Sequence, residues 1–129
     1  MNDTNDDTHA GARLRAARAA LSELFLDTEL DERDLARIAQ VVTGTGLRRD
    51  ELEHVFTEEL EPLLAGNLNV PAGEWQGFDI DWIEAQIRER AGQGAVRKAM
   101  GRAMRAVRGA SAARADWVRL KALLAAKEA

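Results

Sequence analysis

The amino-acid sequence predicts an all-α fold, a compact and irregular bundle of five to six helices. Three observations carry that reading. Apolar residues recur three and four positions apart in separate stretches, the spacing that gathers them on one face of a helix. Helix-capping residues stand at the starts of several stretches, and glycines follow several ends. No stretch alternates apolar and polar residues with the period of two that marks a strand.

The spacing predicts a first helix over about residues 10–27, with Leu14, Ala17, Leu21, Leu24 and Phe25 on one face and Arg13, Arg15 and Arg18 largely off it. A second begins at Asp31, whose carboxylate suits an N-cap. Leu30 and Leu35 stand at the positions of a hydrophobic staple, and Leu35, Ile38, Ala39 and Val42 continue the stripe. Thr43-Gly44-Thr45-Gly46 ends it, since glycine tolerates left-handed backbone at a helix C-terminus. A third helix spans about 48–64, with Leu47 and Leu52 at staple spacing and Leu52, Val55, Phe56, Leu60, Leu63 and Leu64 facing inward. Asp50 and Glu51 suit the positive end of its dipole. Pro62 removes one backbone hydrogen bond and bends the last turn.

Gly66 to Phe78 is the one long irregular segment, holding three of the ten glycines, one of the two prolines and one of the three tryptophans. Irregular segments of a dozen or more residues are uncommon and often functional. Asp79 caps a fourth helix to about Arg90, with Phe78 and Ile83 as its staple, Ile80, Ile83 and Ile87 inward and Trp82 on the flank. After Gly92-Gln93-Gly94 come two more helices, about 95–108 and 111–127, hinged at Gly109. In the fifth, Val96, Met100, Ala103, Met104 and Val107 line one face and Arg97, Lys98, Arg102, Arg105 and Arg108 the other. In the sixth, Trp117, Leu120, Leu123 and Leu124 form the stripe.

A chain of 129 residues is one domain's worth and buries enough surface to fold without a disulfide or metal staple. It contains no cysteine, which excludes disulfides, thiol catalysis and zinc–thiolate sites and fits a reducing compartment. The start, Met1 to His9, is polar and acidic, unlike a secretory signal, and no apolar run approaches the roughly 20 residues that span a bilayer. These features predict a cytoplasmic protein with no membrane partner. The net charge of −4 hides an asymmetry: residues 1–87 carry −12 and residues 88–129 carry +8. The expected organisation is a disordered acidic tail over 1–9, an acidic helical core over 10–91, and a basic Ala/Arg-rich helical extension over 92–129, packed on or beside the core.

Catalytic and metal motifs find little support. Glu51-x-x-His54, with Glu58 one turn on, has the spacing of a di-iron ligand pair, but such a site needs a second pair, and the only other histidine is His9. Two serines, Ser22 and Ser111, lack the nucleophile-elbow context of a hydrolase. Neither glycine pair, at 44–46 or 92–94, follows a strand as a phosphate loop requires. No catalytic, cofactor-binding or metal-binding residue is assigned. The basic helix over 95–108 reads as a solvated face or as one that docks on the acidic body; the two sharper readings are phosphate contact in a nucleic acid and a basic amphipathic helix for a membrane surface or an acidic partner. In the 66–78 loop, Glu74, Trp75 and Phe78 either anchor an interface or plug one end of the bundle.

Three stretches together, Leu24-Phe25-Leu26-Asp27-Thr28-Glu29-Leu30, Asp50-Glu51-Leu52-Glu53 and Ala72-Gly73-Glu74-Trp75-Gln76-Gly77-Phe78-Asp79, resemble a family of small uncharacterised bacterial proteins, over about residues 14–90. The resemblance implies a compact helical unit and transfers no catalytic residues. The chain departs from it at Arg48, where a capping serine is expected, and after Gly92, where the basic segment reads as an addition.

Small size, acidity, helical fold and the lack of a catalytic set together predict a non-catalytic protein-binding module, most concretely an immunity-type protein that neutralises a basic toxin. The expected partner surface comprises Asp27, Glu29, Glu32, Glu58 and Glu61 together with Glu74, Trp75 and Phe78. The alternatives are a nucleic-acid-associated regulator using Arg97, Lys98, Arg102, Arg105 and Arg108, and an enzyme with an unrecognised carboxylate site.

Overall fold

A computed structural model of the protein describes residues 2–26, 30–64, 78–91 and 112–128, with side chains at 9–26, 30–64, 78–91 and 113–127. The glycine-rich loop and the basic helix expected over 95–108 lie outside the described residues. The fold is all-α.

Helix α1 spans Asn2–Ser22 and runs on into a 3-10 turn, Glu23–Phe25. It begins within the stretch expected to be a disordered tail. At the other end the Ser22 hydroxyl donates to the Ala19 carbonyl at 2.7 Å as the helix tightens. Ala17, Leu21 and Leu24 are buried, and Leu14 and Phe25 pack against the core from its edge.

Helix α2, Glu32–Gly44, starts as its sequence requires. Asp31 accepts from the Asp34 amide at 2.9 Å and the Asp34 carboxylate accepts from the Asp31 amide at 3.2 Å, a reciprocal capping box. Leu35, Ile38, Ala39 and Val42 are all buried. The chain leaves through Gly46, whose φ of 73° lies in the left-handed region and strains any residue with a Cβ.

The next helical run has three parts: α3 (Arg49–His54), a π-helical stretch (Val55–Leu60) and α4 (Glu61–Leu64). Val55 and Glu61, at the two junctions, keep right-handed helical dihedrals, so the run is one unbroken helix with a wide turn inside it. Glu51 accepts from the Arg48 amide at 2.9 Å and satisfies the N-terminus without a capping serine. The wide turn falls where Pro62 disfavours regular helix. This residue has no N–H, and in a regular helix its ring crowds the carbonyl four residues back, that of Glu58. Widening relieves the clash, and the Glu61 amide bonds to the Phe56 carbonyl, five residues back. The expected bend is thus a change of helical pitch.

Helix α5, Ile80–Ala91, is capped by Asp79, whose carboxylate accepts from the Asp81 amide at 3.0 Å. Ile83 is buried; Phe78, Ile80, Trp82 and Ile87 pack on the core from outside. Helix α6, Ala112–Glu128, inserts Ala113, Trp117, Leu120 and Leu124 into the same core. Leu123, expected in that stripe, lies at its edge and is 36% exposed, because its neighbours at 120 and 124 already fill the narrow inward face.

One core holds these elements together. Helix α1 packs on α2, on the π-helical stretch and on α5, while α6 lies across α2 and the 3-10 turn. At the centre Phe56 stacks between Phe25, at 5.1 Å between ring centroids, and Trp117, at 5.0 Å. Each such large apolar side chain stabilises the fold by about 1.5–3 kcal/mol through burial alone. No helix among the described residues is long and apolar enough to cross a membrane.

Candidate partner-binding site

The wide turn decides how the acidic face of the central helix is used. Its carboxylates do not form one surface. Glu58 is exposed. Glu59 turns toward α1, where its two oxygens accept from Arg18 Nε at 2.9 Å and from its terminal nitrogen at 2.8 Å. Glu61 turns toward α6 and accepts a bidentate pair from Arg114, with Nε at 3.1 Å. Glu61 was expected on the partner surface; it is 4% exposed and belongs to the interior. The physical reason is the π turn, which brings residues five apart to the same side of the helix and so sets Glu61 beneath Phe56.

The two ion pairs differ in what is buried. Arg18 is held between Glu59 and Glu84 of α5, and all three side chains are only 13–15% exposed. Burial pulls its guanidinium pKa down, but the hydrogen bonds and charges of Glu59 and Glu84 outweigh that, so the net shift is upward. Arg15, one turn away, adds a bridge to Asp81 at 2.7 Å. Arg114 is also raised, first by its hydrogen bond to Glu61, against the opposing effect of burial, with the charge of Glu53 contributing. Its own side chain is 42% exposed, so only the carboxylate of that pair is buried.

Glu53 completes the grip on α6. It accepts from the Trp117 indole N–H at 2.9 Å and pairs with Lys121 at 3.4 Å, whose ammonium lies 5.5 Å from the Trp117 ring centroid. Arg119 pairs with Asp116 at 3.2 Å and reaches the Leu30 carbonyl at 3.4 Å. The described cations Arg114, Arg119 and Lys121 of the basic C-terminal region therefore face carboxylates or carbonyls of the chain itself.

Of the remaining expected partner residues, Glu32 is the exposed first residue of α2 and makes no hydrogen bond or ion pair among the described residues. Phe78 is half-buried against the core. Asp27, Glu29, Glu74 and Trp75 lie outside the described residues, as do Arg97, Lys98, Arg102, Arg105 and Arg108. Among the described residues no group of three His, Asp or Glu is arranged to hold a metal ion; Glu51 is turned to the Arg48 amide, and His54 is exposed.

Sequence reasoning missed Arg18, Glu59 and Glu84 as a unit. A signal was present: Arg18 stands four residues after Leu14 and three before Leu21, on the edge of the apolar stripe, where a charge needs a partner.

A family model described as a domain of unknown function (DUF7079) matches residues 12–123. The match runs through most of α6, so the segment after Gly92 is part of the family's domain and not an addition to it. No curated protein and no solved structure matches the chain at a significant level.

Proposed function

We propose, on the premise that the chain belongs to the DUF7079 family of domains of unknown function, that it is a non-catalytic binding module for a basic protein, of the immunity type that neutralises a toxin. One observation carries the reading. Several half-buried or buried carboxylates are tied to the chain's own arginines, whereas the exposed Asp31 and Glu32 leave the start of α2 as an acidic lip, and the sequence around them is rich in carboxylates. Residues 27–34 hold five carboxylates, Asp27, Glu29, Asp31, Glu32 and Asp34, against one cation, Arg33. Asp31 and Asp34 cap the helix, which fixes the backbone from which Glu32 projects into solvent.

Charge of one sign on a fixed edge favours encounter with a partner of the opposite sign and excludes like-charged ones. The same pairing argues against the carboxylate-enzyme alternative: a carboxylate tied to a guanidinium by two hydrogen bonds anchors structure and does not exchange protons with a substrate. It also weighs against nucleic acid, since Arg114, Arg119 and Lys121 of α6 are already paired with carboxylates of the chain. A chain without cysteine suits a reducing cytoplasm, where an inhibitor of this type meets its target before the target acts.

The test is affinity capture from the native host with the wild type and with Asp27→Lys/Glu29→Lys/Glu32→Lys, which leaves the caps at Asp31 and Asp34 intact. The expected outcome is one basic protein held by the wild type and weakened at least a hundredfold by the triple reversal. That protein arrests growth when expressed alone and is relieved by co-expression of the chain. A captured partner that binds both chains equally, or that harms nothing, overturns the reading.

A further inference from the structure

The contacts of α6 have a one-way character. Four polar contacts among the described residues run from a donor on α6 to an acceptor on the body: Arg114 to Glu61, the Trp117 indole and Lys121 to Glu53, and Arg119 to the Leu30 carbonyl. Asp116, the acid near them, is satisfied by Arg119 of the same helix. The apolar contribution is a single stripe, Ala113, Trp117, Leu120 and Leu124, with Trp117 at 2% exposure as its anchor on Phe56. The body thus receives α6 as a groove receives an amphipathic helix: apolar anchors at helical spacing set direction and depth, and cations flanking the anchor read the carboxylates of the wall.

We propose that this groove, walled by Glu53 and Glu61 and floored by Phe25 and Phe56, is a recognition site for basic amphipathic helices, and that α6 is its resident, exchangeable occupant. The pattern it reads is Arg-x-x-Trp-x-x-Leu-Lys-x-x-Leu, present here as Arg114, Trp117, Leu120, Lys121 and Leu124. A helix of that chemistry on a basic partner competes with α6 for the groove, so α6 sets a threshold that a weak partner does not pass. The biological part of this inference rests on the reading of the partner as basic; the groove's specificity does not, and is tested without any partner.

The probe is a fluorescent synthetic peptide of residues 112–128, added to the full chain. In Arg114→Glu the tethered helix presents a carboxylate to Glu61 and is expelled. The peptide is expected to bind that variant at least tenfold more tightly than it binds the wild type, and a peptide carrying Trp117→Ala is expected not to bind. An Arg114→Glu chain that keeps its helical circular dichroism and does not take up the peptide overturns the proposal, as does equal uptake of the two peptides. Native-state hydrogen exchange of the wild type decides the matter if the variant does not fold. Amides from Trp117 to Leu124 are expected to exchange at least tenfold faster than those of Ile38, Ala39 and Val42, through an opening of their own. Exchange of both sets in one global event overturns the proposal. Failure here leaves the acidic lip of α2 untouched, since that is tested by reversal at residues 27, 29 and 32.

Discussion

The first and last helices grip the central helix with the same chemistry and opposite economy. Arg18 of α1 and both of its carboxylates are largely buried, so these charges serve chiefly one another. On α6, Glu61 is buried while Arg114 remains 42% exposed, and the interior contact is made by an aromatic ring. One end is locked by a charge network and the other is docked by an apolar anchor with charges as guides. A single acidic helix serves both because Glu59 and Glu61, two residues apart, stand on opposite sides of it.

The comparison breaks most sharply at Trp117. Truncation to alanine removes the anchor, the stack on Phe56 and the donor to Glu53, and is expected to cost about 3–5 kcal/mol. Urea unfolding followed by circular dichroism measures it. A loss below about 1 kcal/mol, the level of a surface change, would mean that α6 is not docked by that ring. Arg18→Met is the matching lesion on α1. It leaves Glu59 without its cation and Glu84 with only Arg15, at 3.8 Å. Breaking a buried pair from one side costs about 3–5 kcal/mol, and the residual exposure of this trio lowers the expectation to about 2–3 kcal/mol. Restoration by Glu59→Gln in the Arg18→Met background would show that the cost lies in the stranded charge.

The Glu61–Arg114 pair sharpens the contrast, because its two halves are unequal. Arg114→Gln leaves a carboxylate at 4% exposure without its cation and is expected to cost about 1–3 kcal/mol. Glu61→Gln leaves an arginine that turns to solvent, and is expected to cost about 0.5–1 kcal/mol. Equal losses in the same unfolding experiment would contradict the burial difference. At the Arg18 trio no such asymmetry is expected.

Much of the framework was legible in the sequence, and the reasons are local. The Asp31 cap, the inward stripe Leu35-Ile38-Ala39-Val42 and the inward set from Leu52 to Leu64 depend only on neighbours a few residues away, and spacing encodes them. The site was legible only in part. Glu32 is exposed because it opens a helix whose apolar stripe points elsewhere. Glu61 is not, because its burial depends on a non-standard turn and on a cation 53 residues further along the chain. Regular-helix spacing carries neither. The Arg18 network is non-local in the same way, with partners 41 and 66 residues away.

The subtlest test concerns the turn itself. If Pro62 causes the π geometry, Pro62→Ala restores a donor, removes the ring from the Glu58 carbonyl and lets residues 55–60 return to regular α-helix. The Glu61 amide then bonds to the Thr57 carbonyl in place of Phe56, a switch that hydrogen-bond scalar couplings in NMR read directly. Stability is expected to change by no more than about 1 kcal/mol, because the gain in backbone bonding offsets the loss of alignment at Glu61. If the π turn persists in the alanine variant, its cause is the pull of Arg18 on Glu59 and of Arg114 on Glu61. The two terminal helices would then shape the central helix and not merely hold it. Retention in Pro62→Ala followed by loss in Pro62→Ala/Arg114→Gln would assign that pull to α6, and loss in Pro62→Ala/Arg18→Met alone would assign it to α1.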